Sequence, residues 1–225
     1  MENENKSLPE LASYNFGVID LIKEGWARME GSKLQLFIAF VVYVLVSVVL
    51  SFVLSLVFPQ GSVDNPNTLN QLIVTLISYP VLIPMMTGMM MMALSHGRGE
   101  QIEFQSIFNY YHLTGKLSLA SIFSSFLMFI GFILLLLPGI YLAVAYMFVL
   151  PLIVDKNMGI WEAMEYSRKK VTQQWFKVFG LMFLLGLIVL LGAIPLGIGL
   201  FWAMPLMYIC MYGLLYPIIF DGIEA

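Results

Sequence analysis

The stretch "NFGVID" at residues 15–20 is written again, slightly altered, as "NMGIWE" at residues 157–162. Around the first, Val18, Ile19, Ile22, Trp26 and Met29 recur at helical spacing, and Lys23, Glu24 and Arg28 mark a polar side. Around the second the corresponding set is Ile160, Trp161, Met164, Ser167 and Val171, opposite Glu165, Arg168 and Lys169. Each reads as an amphipathic helix too short to cross a bilayer and suited to lying in its interface. Gly17 and Gly159 stand where N-caps belong. Asp20 and Glu162 then fall at the third helical position, where a carboxylate meets unpaired backbone N–H groups and the positive end of the helix dipole. A weaker third copy, "IEFQSIFNYYHLTGK" at 102–116, places Phe104, Ile107, Phe108 and Tyr111 on one side and has Glu103 in place of the glycine.

Each copy leads into a greasy run. Of the 225 residues 60% are hydrophobic and 11% charged, where a soluble domain carries about 25% charged. Six apolar runs approach the length of about 20 residues that spans a hydrocarbon core: 34–58, 71–95, 117–137, 140–154, 178–194 and 199–220. The third and fourth form one run, 117–154, which the pair Pro138–Gly139 is expected to break. The fourth is short and predicts local thinning of the bilayer. The fold class is therefore all-α: a polytopic membrane helix bundle of six transmembrane helices in three hairpins, each preceded by a cytoplasmic interfacial amphipathic helix.

Lysine and arginine orient it. Lys6, Lys23, Arg28 and Lys33 precede the first span, and Arg98 and Lys116 lie between the second and third. Lys156, Arg168, Lys169, Lys170 and Lys177 lie between the fourth and fifth. All eleven basic residues thus fall on one side, which the rule makes cytoplasmic along with both termini. The acidic, polar N-terminal stretch has no early apolar core and does not read as a cleavable signal peptide.

A lysine meets each span entrance, in "SKLQL" (Lys33), "GKLSL" (Lys116) and "FKVFG" (Lys177), and each outer turn carries proline and glycine, in "FPQG", "LPGI" and "IPLG". The later return spans exit alike, "LPLIVD" at Asp155 and "YPIIFD" at Asp221. One membrane domain, 1–225, is thus expected to hold three units, about 15–95, 101–154 and 157–221. The first departs from the others in its longer turn, "PQGSVDNPNTLN", and in two prolines, Pro80 and Pro84, inside its return span.

Catalytic chemistry is not legible. No ionisable residue falls in the middle of a span, where a proton or ion relay would need one. Six of the sixteen methionines crowd "PMMTGMMMMALSHG", with Met85, Met89 and Met92 on one face and His96 beyond, a pattern open to a soft metal but more simply a flexible core filler. His96 and His112 lack metal-ligand spacing, span-three serines lack a histidine in any span, and the single Cys210 makes an intrachain disulfide impossible. No catalytic, cofactor-binding or metal-binding set emerges, and a net charge of −3 points to no nucleic acid. The candidate residues are Lys33, Lys116, Lys177, Arg168 and Lys169 for lipid head groups, and Asp155 and Asp221 as acids at helix ends. Prolines within spans and the tyrosines Tyr141, Tyr146, Tyr208, Tyr212 and Tyr216 would line a path, were there one.

The run "LLLLPGIYLAVAYMFVLPLIVDKNMGIWEAMEYSRKKV" at 134–171 resembles a group of bacterial six-span inner-membrane proteins. They are the YciC-like family and the membrane domain fused to some glycerophosphodiester phosphodiesterases. The shared phrase falls here on Pro138, Gly139, Tyr141, Pro151, Asp155, Gly159, Ala163 and Ser167. The resemblance implies the same six-span architecture in a bacterial inner membrane and no assigned activity. The phosphodiesterase activity is not carried over, since no polar segment is long enough to hold that domain. The function expected is non-enzymatic, acting through membrane lipids, a protein partner or a second copy; the alternative is a small-molecule, lipid or ion transporter or channel with its path between the hairpins.

Overall fold

The computed structural model describes residues 13–59, 61 and 67–222; Lys6 and half of the turn "PQGSVDNPNTLN" lie outside them. Helix α1 (Val18–Arg28) starts from an extended Gly17, and α7 (Ile160–Thr172) from an extended Gly159. The Gly159 N–H donates to the Glu162 carboxylate at 3.1 Å, as the spacing predicts. The first hairpin is α2 (Lys33–Val57) and α3 (Thr68–Gly97). The second is α4 (Thr114–Leu134) followed by α5 (Leu136–Ala145) and α6 (Val149–Asp155), which together make one return span. The third is α8 (Trp175–Ala193) followed by α9 (Leu200–Tyr208), a π-helical stretch at Ile209–Leu215 and α10 (Tyr216–Phe220). Six of these segments are long and apolar enough to cross a membrane.

Three expectations are revised. The third copy of the short helix forms two 3-10 turns, Phe104–Phe108 and Tyr111–Leu113, and not an α-helix. It has Glu103 and no capping glycine, and it buries Ile107 while leaving Phe108 and Tyr111 exposed. The break in the run 117–154 falls at Leu135, which is extended (φ −163°, ψ 151°), three residues before Pro138. Pro138 sits in the first turn of α5, where helical N–H groups have no partner and its lack of one costs nothing. The fourth span therefore runs Leu136–Asp155, 20 residues or about 30 Å, and needs no thinned bilayer.

The return spans end alike. The last turns close on Arg98, Lys156 and Asp221, and each is followed by a residue of positive φ: Gly99 (83°), Asn157 (50°) and Gly222 (71°). Glycine and asparagine tolerate that left-handed backbone, which stops a helix. Within the spans, proline shapes the path. Pro151 lies in the first turn of α6 and accounts for the interruption after Ala145. The π stretch ends just before Pro217, whose ring would otherwise meet the Gly213 carbonyl four residues back.

Each return span is exposed near its start and buried toward its end. Leu69, Leu72 and Leu76 face outward while Pro84–Leu94 is almost wholly buried; Leu136 and Leu137 face outward while Val149–Ile153 is buried. The last span is the most enclosed, with 89% of its apolar window buried against 11% for the first span.

The short elements do the covering. α1 packs on the last span, the 3-10 turns on α3, and α7 on α5 and α6. Each short element thus lies on the return span of the hairpin before it, and the first lies on that of the last. α1 buries Leu21, Gly25 and Met29, and α7 buries Ala163, Ser167 and Val171 at the same offsets. Their apolar faces are largely taken by protein, leaving Ile19, Trp26 and Trp161 outward.

Helix association in lipid draws little on the hydrophobic effect and relies on close van der Waals packing. Small residues permit it here. A Cβ on Gly88 would stand 2.5 Å from the Ile107 Cα, one on Gly213 would stand 2.8 Å from the Ala93 carbonyl oxygen, and one on Gly97 would overlap the Gly213 carbonyl. Met85, Met89 and Met92 fill the core beside these contacts. Gly97→Ala is therefore expected to cost about 2 kcal/mol through overpacking. Gly180→Ala, with open space around it, is expected to be neutral or slightly stabilising. Thermal unfolding of both variants in one detergent checks the contrast.

Candidate functional site

The ends of all three return spans meet in one ionic cluster. Arg98, at the end of α3, grips Asp155 with both arms: Nη1 donates to Oδ1 at 2.6 Å and Nη2 to Oδ2 at 3.0 Å. The same Nη2 donates to Asp221 Oδ2 at 2.8 Å. The Lys156 ammonium pairs with Asp221 and lies 3.5 Å from Asp155 Oδ2, and the Tyr216 hydroxyl donates to Asp155 Oδ2 at 3.0 Å. Two cations thus face two carboxylates. An acid at the C-terminal end of a helix opposes the dipole, so Asp155 and Asp221 need these partners.

Arg98 is held more firmly protonated than usual, first by its bonds to Asp155 and then by those to Asp221. For Lys156 burial works against the charge, but the Asp221 carboxylate outweighs it and the ammonium titrates above the ordinary lysine range. A raised value means that its contribution is complete below the ordinary lysine range and is lost only as pH climbs through the folded value. Neutral and mildly acidic conditions therefore leave the Lys156 contribution intact.

Two of the grooves among the described residues lie where a short helix passes into a span. The larger, about 910 Å³, lies where α7 passes into α8, between Tyr141 and the segment Thr172–Lys177, with Leu137 on its wall. Its lining is mainly apolar, Phe176 is 83% exposed, and Lys177 stands at its edge and bonds to the Asn15 side chain. The Trp175 indole N–H donates to the Tyr141 carbonyl at 3.4 Å, and the Tyr141 and Thr172 hydroxyls are 2.7 Å apart. The smaller, about 290 Å³, lies where α1 passes into α2, lined by Trp26, Met29, Glu30, Lys33 and Trp202. In both, a junction between short helix and span, ending in a lysine, faces an aromatic residue of the neighbouring return span.

The other proposed lysine, Lys116, is half-buried near the start of α4 and lines neither groove. Arg168 and Lys169 are occupied by Glu165: Arg168 Nη2 donates to Oε1 at 2.9 Å and Nε to Oε2 at 3.0 Å, with Lys169 3.2 Å from Oε1. The Arg168 guanidinium, followed by Lys169, holds the Glu165 carboxyl below the usual range. That contribution is present above the ordinary carboxylate range and lost as pH falls through the lowered value. His96 Nε2 lies 2.8 Å from the Arg28 carbonyl and His112 Nδ1 2.9 Å from that of Asn109, so each of those nitrogens carries a proton. Among the described residues no three or more His, Cys, Asp or Glu side chains gather where a metal could sit.

Three contributors escaped the sequence reading. Arg98 follows the first return span at the place where Asp155 and Asp221 close the later ones, and that inversion of charge was a usable signal. Lys156 adjoins Asp155 and was legible only as a basic loop residue. Tyr14 carried none: its hydroxyl donates to the Lys170 carbonyl at 3.2 Å, while Gln174 Nε2 donates to the Tyr14 carbonyl at 3.3 Å. Those bonds tie the start of the described chain to the α7–α8 junction.

The fold and these features define a multi-pass membrane protein. No family model, no curated protein and no solved structure matches the chain.

Arg98→Gln leaves two acids at helix ends with one lysine between them. We expect it to cost about 2 kcal/mol, a value for charged hydrogen bonds in a partly exposed site. The double variant Arg98→Gln/Asp155→Asn should cost less than the sum of the two single changes, which a double-mutant cycle on unfolding free energies would read.

Proposed function

We propose that this is a non-enzymatic inner-membrane protein that binds anionic phospholipid at the junctions between its short helices and its spans, on the cytoplasmic leaflet. The observation that carries the reading is the groove between Tyr141 and Lys177: an apolar trough suited to an acyl chain, with an ammonium at its edge suited to a phosphate. The groove at Lys33 shares the lysine and an aromatic wall, at Trp26 and Trp202, but is smaller and also lined by Glu30. Exposed Trp26 and Trp161 supply aromatic rings of the kind that settle at head-group level. The sorting of every lysine and arginine to one side supports a cytoplasmic face there, and the YciC-like phrase supports a bacterial inner membrane.

A transport path between the three hairpins receives less support. Phe148 packs edge-on against Tyr212, Tyr216 and Phe220 at 5.5–6.0 Å between ring centroids, and Met85 and Met89 are buried beside the last span. These side chains fill the space between the second and third return spans, which a path there would need open.

Native mass spectrometry of protein released from membrane patches tests the proposal. We expect phosphatidylglycerol-class adducts on the wild type, with Lys177→Gln and Lys33→Gln each removing bound lipid severalfold and Lys116→Gln leaving it unchanged. Adducts that are absent, or that ignore both substitutions, would reject the reading.

A further inference from the structure

Away from those grooves, α3, α4 and the return span formed by α5 and α6 border a cavity of about 220 Å³ that is open on one side. At roughly 30 Å³ per liquid water it holds about seven waters or an organic molecule of similar bulk. Ser121, Ser124 and Ser125 of α4 line it, opposite Tyr79 of α3 and Tyr146 and Met147 at the interruption between α5 and α6. No charged side chain takes part, and most of the remaining wall is aliphatic or thioether.

One polar group in this wall is unsatisfied. Ser124 is 7% exposed, lies midway along α4, and its hydroxyl has no hydrogen-bond partner. Ser118, six residues earlier in α4 and outside the lining of the cavity, is likewise buried without a partner, whereas Ser47, Ser55, Thr75, Ser78 and Thr87 each donate to a backbone carbonyl one turn back. A buried hydroxyl without a partner is costly, and more so where no bulk water reaches it. Pro151 also deprives the Met147 carbonyl of its helical N–H donor on the opposite wall. The site therefore offers hydrogen bonds of both senses, no charge, and an apolar surround.

We propose that this cavity binds an uncharged, alcohol-bearing amphiphile whose hydroxyl pairs with Ser124. A carboxylate, phosphate or ammonium would enter without a counter-charge and is disfavoured. A hydroxyl both donates and accepts, and its aliphatic body fits among the methionines.

Photolabelling with 3-azioctanol, on the full chain in nanodiscs, tests this with no assay of activity. The expected result is saturable labelling of α4 and of residues 143–150, displaced by 1-octanol. Ser124→Ala should lower it at least fivefold, Ser124→Thr should retain it, and a diazirine-bearing octane without the hydroxyl should label weakly. Because the Ser124 hydroxyl bonds to nothing in the protein, Ser124→Ala should keep the wild-type melting temperature. Should that variant fail to fold, Ser125→Leu, which fills the cavity from the next residue, should abolish labelling instead. Labelling that does not saturate, that is equal for the hydroxyl-free probe, or that survives both substitutions would overturn the proposal.

Discussion

A lone guanidinium holds three helix ends together. Arg98 terminates one return span and bonds the acids that terminate the other two, with Lys156 completing neutrality. An unpaired carboxylate at the negative end of a membrane helix would be unfavourable twice over, through the dipole and through partial desolvation. Pairing both with Arg98 removes that difficulty and sets where the helices must converge. The convergence in turn brings about the glycine contacts of α3 with the last span and the ring contacts around Phe148.

The short amphipathic elements take on a different part from the one composition suggests. A helix of this pattern alone would lie on lipid. Here α1 spends its apolar face on Cys210, Leu206 and Leu214, and α7 sends the Ser167 hydroxyl to the Ala145 carbonyl at 2.6 Å. That carbonyl lies where the return span is interrupted, so Ser167 supplies a bond the helix does not. Tyr111, from the second 3-10 turn, donates to the Val81 carbonyl of α3 at 2.9 Å. With the return spans covered, the junctions at Lys33 and Lys177 are where the proposed lipid sites fall.

Much of this was legible. The six spans, the N-cap glycines and the acids at helix ends come from composition, helical period and capping chemistry. The turn at Leu135 was not, because proline is the visible punctuation while an extended leucine leaves no mark. Nor were the 3-10 turns, since Phe104, Ile107, Phe108 and Tyr111 fit a helical stripe of which packing uses only Phe104 and Ile107. In the site, Asp155 and Asp221 were found but their mutual partner was not, because contact across 123 residues, from Arg98 to Asp221, has no local signature. Arg168 and Lys169, read as candidate lipid contacts, share the single carboxylate of Glu165 three and four residues before them, a pairing that the helical spacing made legible.

On the proposed reading, close packing around Phe148 and lipid at the flanks belong together. Cryo-electron microscopy in nanodiscs rich in phosphatidylglycerol would examine both at once. We expect lipid-shaped density along Tyr141 and Phe176 with its head near Lys177, and continuous side-chain density from Phe148 to Tyr212 and Tyr216. A water- or ligand-filled column between the return spans, with the flanks bare, would contradict both.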